Sequence, residues 1–197
     1  MEAIRTLRAM RRLDPGRPVP EADLLTILEA AGKAPSGGNA QPVRWLVVRD
    51  PELRRRLGEI YRVEARRTLR MYEEPARHDP AVARMLRSAL HLADHMGEVP
   101  VLLLACAPAG LVRAEGAVYP AIQNLMLAAR ALDLGTTLTS MHRQNEAAVK
   151  ELLGIPDDVD TFALIPLGYP LGRWGEGPRL PVDEISYWDA WGRPRPR

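Results

Sequence analysis

Residues 101–107, Val-Leu-Leu-Leu-Ala-Cys-Ala, form an unbroken apolar run of strand length. A strand without polar alternation is a strand covered on both faces, so the chain must lay material over each side of it. The wider apolar stretch, 100–112, is well short of the ~20 residues that cross a bilayer as a helix. The run therefore belongs inside a layered, water-soluble fold.

The rest of the chain supplies the layers. Residues 2–13 read as a short amphipathic helix carrying Ile4, Leu7 and Met10 at helical spacing, and Asp14-Pro15-Gly16 breaks it. A helix over 21–33 follows, with Leu24, Leu25, Ile27, Leu28 and Ala31 on one stripe and Glu21 and Asp23 in its first turn. A strand is expected over 43–49, a long Arg-rich helix over 52–72 and another helix over 81–96. The helix expected over 119–134 places Gly135 as its C-terminal cap. A short strand over 136–140 precedes a helix capped by Asn145 and running to Leu153, with Glu146 and Lys150 as an i,i+4 pair. Residues 161–169 form a fourth strand. Four strands interleaved with about six helices give an α+β, α/β-like single domain over 1–197. The tail, 170–197, reads as extended. Its Tyr187, Trp188 and Trp191 need a surface to pack on, and a second copy of the chain is the simplest host.

Composition narrows the function classes. The chain has 27 basic and 25 acidic residues, a net charge of +2, which is too balanced for a dedicated nucleic-acid binder. Only Lys33 and Lys150 are lysines; the other basic residues are arginines, whose planar forks suit phosphates and carboxylates. The lone cysteine, Cys106, allows no intramolecular disulfide and no Cys-based metal site, and reads as a small buried hydrophobe. The first residues lack the apolar core of a secretory signal. A cytoplasmic protein without membrane association is the expectation.

Three segments carry candidate chemistry. Ala34-Pro35-Ser36-Gly37-Gly38-Asn39-Ala40-Gln41-Pro42 joins a helix to a strand. Its glycines let backbone N–H groups approach a ligand, and the Asn39 amide offers a donor and an acceptor to the edge of a planar heterocycle. The same string also serves as an ordinary Gly-rich turn. Arg8 and Arg12, at i and i+4 on the expected first helix, would share one face and could grip a phosphate, or form a solvated basic face. Third, Leu167-Gly168-Tyr169-Pro170 ends a strand and is followed by Arg173 and Arg179.

Taken together and in order, these segments resemble the nitroreductase family of FMN-dependent oxidoreductases, from Arg8 to about Trp191. The Pro-Ser-x-x-Asn-x-Gln-Pro string of 35–42 is the most specific element. The resemblance implies a mixed central sheet of four to five strands flanked by helices, and a homodimer with a domain-swapped C-terminal extension. It also implies two FMN sites, each built from both subunits. By motif position, Arg8 and Arg179 would bind phosphate and Arg12 would sit near the flavin pyrimidine edge or ribityl chain. Met10, Pro35, Ser36, Asn39, Gln41, Thr139, Ser140 and Gly168 complete the implied cofactor set, with Ser36 and Asn39 reaching in from the partner. Val43 stands where relatives carry Trp, and the 54–96 segment, over the substrate face, is particular to this chain.

The chemistry implied is hydride transfer from NAD(P)H to flavin N5 and then to a small organic acceptor such as a nitro compound or quinone, in ping-pong fashion. The cofactor carries this chemistry. No side-chain acid or base is demanded, and a cation such as Arg12 would stabilise negative charge on the reduced ring. Two other readings remain open: O2-dependent, dehalogenating or dehydrogenating use of the same flavin, and a non-enzymatic Arg-rich binding protein. His91 and His95 have metal-compatible i,i+4 spacing, but the string His91-Leu92-Ala93-Asp94-His95 lacks the H-E-x-x-H pattern, so no metal is expected. The arginines of 54–70 read as a solvated face able to attract anions.

Overall fold

In the computed structural model, which describes residues 1–196, the apolar run forms β2 (Val101–Pro108) at the interior of a four-stranded sheet. The other strands are β1 (Arg44–Val48), β3 (Gly135–Thr136) and β4 (Val159–Gly168), in the spatial order β1-β2-β4-β3. Every neighbouring pair is antiparallel. The mixed character expected of the sheet is therefore not found within one chain, among the described residues.

Side chains of β2 alternate between two cores. Val101, Leu103, Ala105 and Ala107 pack on one face with α2 (Glu21–Gly32) and α6 (Glu115–Ala131). Leu102, Leu104 and Cys106 pack on the other face with α3 (Pro51–Leu69) and α5 (Pro80–His95). Each fully buried aliphatic side chain removes enough apolar area to contribute ~1.5–3 kcal/mol, so the two-sided covering follows from the sequence of β2. The remaining helices are α1 (Glu2–Thr6), α4 (Glu73–His78), α7 (Glu146–Leu153) and α8 (Val182–Ile185). No helix among the described residues is long and apolar enough to cross a membrane.

Several local expectations are corrected. The first helix ends at Thr6, because the following segment is drawn to the sheet edge: Met10 N–H donates to Thr136 O at 2.9 Å, and Leu13 bridges to Pro170. Arg8 and Arg12 consequently do not share a helix face. Gly135 is not a helix cap. Asp133 takes the left-handed position at φ 58° and donates to Arg130 O, while Leu134 N–H donates to Ala129 O, closing a Schellman motif. Gly135 is reserved for β3, where it faces Gly168. Glu146 does not pair with Lys150; its carboxylate turns to Thr161 instead. Asn145 makes no side-chain cap.

Candidate functional site

The segment after α1 brings Arg11 to a cavity of about 210 Å3 on the α3/α5 side of the sheet. Its polar lining is Arg11, Tyr61, Tyr72, Thr137, Thr139 and Ser140; its apolar lining includes Leu69, Met85, Leu92 and Met141. These groups come from the segment after α1, from α3 and the turn that follows it, and from the stretch after β3. Met10 is buried, its carbonyl accepting from Thr137 Oγ1 at 2.7 Å, so Arg11 is held beside the residues that follow β3. Thr139 is latched to β4 by reciprocal backbone bonds with Leu164, and its Oγ1 donates to Leu164 O at 2.6 Å. Tyr61 comes from the buried stripe Leu57, Tyr61, Ala65 and Leu69 of α3.

The electrostatics of this cavity are unusual for a surface arginine. Burial pushes the Arg11 guanidinium pKa down, and the Tyr61 phenol beside it is the group that opposes this. Arg11 makes no ion pair among the described residues. Burial likewise pushes the Tyr61 pKa up, opposed by the Thr139 hydroxyl and by Arg11. A half-buried cation with no carboxylate partner among the described residues, in a cavity whose other polar groups are uncharged, is an arrangement that an anionic ligand would complete.

The helix–strand loop forms a second locus on the opposite face of the sheet. Pro35, Ser36 and Gln41 line a smaller cavity of about 160 Å3 with Leu28, Ala31 and Trp45. Gln41 N–H donates to Ser36 Oγ at 2.9 Å, and Gln41 Nε2 donates to Asn39 Oδ1 at 3.1 Å. Gly38, Asn39 and Gln41 have φ of 57°, 54° and 47°. Left-handed backbone at a non-Gly residue costs ~1–2 kcal/mol, so the loop is held in a shape that its own propensities oppose.

One chain does not gather every expected residue. Thr139 and Ser140 join the Arg11 cavity, whereas Pro35, Ser36 and Gln41 line the other one. Arg8, Asn39 and Arg179 are exposed and line neither cavity. Arg12 is also exposed, with its carbonyl accepting from Leu171 N–H, and the lining guanidinium is that of Arg11. Met10 is a core side chain. Gly168 ends β4 in close contact with Pro100 and Leu13. Arg11, Tyr61 and Thr137 were missed by the sequence reading. A strand-like reading of residues 7–13 would have separated Arg11 from Arg12, and the buried helical stripe around Tyr61 was hidden among arginines.

The remaining candidates stand apart. His91 and His95 stack at 4.1 Å between centroids, and the His95 Nδ1 lies 2.8 Å from His91 O. No group of three metal-ligating side chains occurs among the described residues. Cys106 is buried, and burial pushes its thiol up to about 11, so it stays protonated. The α3 arginines are largely committed to ion pairs and carbonyls: Arg55 to Glu52 and Glu59, Arg66 to Asp94, Arg54 to Val99 O.

The profile of the Nitroreductase family matches residues 4–169. The NADH dehydrogenase of Thermus thermophilus is 32% identical over 180 residues, covering 87% of each chain. The iodotyrosine deiodinase of Thermotoga neapolitana is 30% identical over 169 residues, covering 83% of this chain and 84% of its own. Among solved structures, oxidized iodotyrosine deiodinase bound to FMN and 3-iodo-L-tyrosine superimposes with a TM-score of 0.76. That match is at 27% identity and covers 96% of this chain and 98% of the other.

Proposed function

The chain belongs to the nitroreductase family, and from that premise we propose that it is an FMN-dependent oxidoreductase taking reducing equivalents from NAD(P)H and delivering them to a small organic acceptor. The observation that carries the reading is Arg11, a half-buried guanidinium with no acidic partner on the wall of the 210 Å3 cavity. Relatives named for NADH and for bound FMN support the cofactor and the donor.

The residues present fit a flavin. Arg11 would face the pyrimidine edge, where its charge stabilises negative charge in a partly dry site. Ser140 would offer its hydroxyl and N–H from a stretch that Thr139 latches to β4. Arg8 and Arg179 are exposed and make no ion pair among the described residues, which leaves both free for a phosphate. Ser36 and Asn39, remote from this cavity in their own chain, would serve the site of a second copy. When bound, the flavin supplies hydride acceptance from the nicotinamide and hydride delivery to the acceptor. The apolar lining of Leu69, Met85, Leu92 and Met141 excludes water and receives a flat organic molecule.

A second reading is favoured by the deiodinase relatives: reductive dehalogenation on the same flavin. Among the described residues of one chain, Arg11 is the one charged side chain lining the cavity, so a carboxylate to receive an α-ammonium group would have to come from a second copy.

The experiment is an anaerobic FMN titration followed by NADPH or NADH, on wild type and Arg11→Ala. Wild type should quench flavin fluorescence and bleach on reduction. Loss of the charged contact should weaken FMN binding by about 1.5–3 kcal/mol, on the order of ten- to a hundredfold. Arg11→Ala protein that binds FMN as wild type does would remove the assigned role.

A further inference from the structure

Behind the Arg11 cavity lies a buried polar chain with no task in the function proposed above. His142 is 0% exposed and directly follows Ser140 and Met141, which line the cavity. Its Nε2 lies 3.1 Å from Oγ1 of Thr161, itself 0% exposed. Thr161 Oγ1 donates to Glu146 Oε1 at 2.5 Å, and Thr161 N–H donates to the same oxygen at 2.6 Å. Glu146 is the first residue of α7, so three elements meet here.

Donor and acceptor roles follow from the inventory of each group. Glu146 Oε1 receives a backbone N–H and so acts as an acceptor; the Thr161 hydroxyl therefore spends its proton on it. Oγ1 then has only lone pairs to offer His142, so the proton sits on Nε2. Nδ1 becomes a buried acceptor with no partner among the described residues. A β-bulge sets up the contact. Ala105 pairs with Ala163 but Cys106 pairs with Thr161, which leaves Phe162 as the extra residue. Phe162 and Ala163 both fall in the α2/α6 core, and Thr161, opposite Cys106, turns to the other side.

The consequence is a stretch fastened to β4 twice. Thr139 is tied to Leu164, and His142 is tied to Thr161. Ser140 and Met141 lie between the two ties.

We propose that His142, as the neutral Nε2–H tautomer, is a positioning residue for the flavin site, pinning the Thr139–Met141 stretch against β4 through Thr161 and Glu146. The proposal rests on the flavin reading. Nothing about the fold alone requires a histidine here: an apolar side chain would fill the space without an unpartnered nitrogen.

The test is FMN affinity of the full chain, read by fluorescence quenching, with urea midpoints measured in parallel. His142→Leu and Thr161→Val each remove one side of the bond and should weaken FMN binding about tenfold. The double variant should be no weaker than either single, because both act through one bond. His142→Gln, which can present an N–H near the Nε2 position, and Thr161→Ser should restore affinity to within about threefold. Thr161→Val is nearly isosteric and serves where His142→Leu does not fold. Folded variants that bind FMN like wild type, additive losses, or failure of both conservative variants to rescue would each overturn the assignment. Wild-type protein that binds no FMN overturns the flavin reading and this proposal with it. Wild type that binds beside unaffected variants overturns the His142 role alone.

Discussion

Gly135 shows how little slack surrounds the Arg11 segment. A Cβ there would stand 2.9 Å from Met10 Cβ, 2.9 Å from Leu13 Cδ2 and 3.2 Å from Pro170 Cβ. Met10 is bound to β3 through its own N–H and is the residue before Arg11, so crowding it moves the guanidinium. Gly135→Ala should cost about 1–3 kcal/mol by overpacking and also weaken FMN binding. Urea unfolding and flavin titration check both. Gly116, in α6 with no atom within 4 Å of an added Cβ, is the control, where alanine should be neutral or stabilising by up to about 1 kcal/mol. A Gly135→Ala protein with unchanged stability and affinity would show that the segment has room to adjust. At this scale the sequence was only partly legible. The two arginines at 11 and 12 are chemically identical, and a helical reading selected the exposed one. The choice is made by Met10 N–H pairing with Thr136 O, a contact between residues 126 positions apart that no local pattern encodes.

Elements marked by strong local signals were readable, and those set by competition were not. The strand at 101–107, the helix ending before Pro35 and the Gly154 stop of α7 at φ 65° all follow from local chemistry. The Glu146–Lys150 pair was equally well spaced but lost to Thr161, because two short bonds to a buried partner outweigh an i,i+4 ion pair of ~0.3–0.5 kcal/mol. That competition leaves a signature in pH. Burial pushes the His142 pKa down to about 4, with Glu146 opposing and Arg143 adding to it. In the unfolded chain a histidine titrates near 6.5, so the neutral native form contributes fully above that pH. The contribution is lost as pH falls from about 6.5 to 4, amounting to about 3 kcal/mol. Burial raises the Glu146 carboxyl, but the Thr161 bonds outweigh it and its pKa is lowered, so its own loss falls in a more acid window. Urea midpoints at pH 7 and pH 4.5 should therefore differ in wild type and differ less in His142→Gln. Equal differences in the two proteins would remove His142 as the cause.

For the whole molecule, the informative surface is the tail. The chain is fastened to its own body as far as Glu176: Trp174 packs under the buried Arg130 at 4.4 Å, and Glu176 pairs with Arg5 at 2.7 Å. Beyond that point Leu180, Val182, Ile185 and Trp188 are exposed, and Trp191 is 91% exposed. Apolar surface of this extent is costly in water and marks an interaction site. The loop residues Ser36 and Asn39 present the complementary problem, since they lie away from the Arg11 cavity that the family resemblance assigns them to serve. A homodimer would resolve both: the arm of one copy would cover the other, and each loop would reach the partner's flavin. Light scattering should then give wild type at twice the 21.9 kDa chain mass. Deleting residues 178–197 removes the arm and Arg179 together, and should yield a monomer that binds FMN at least about tenfold more weakly. Arg179→Ala separates the two effects: the arm still pairs the subunits while the phosphate contact is gone, so the dimer persists with reduced FMN affinity. A truncated chain that stays dimeric and holds FMN as tightly as wild type would mean that the arm plays no part in assembly, and the exposed tryptophans would then require a different partner.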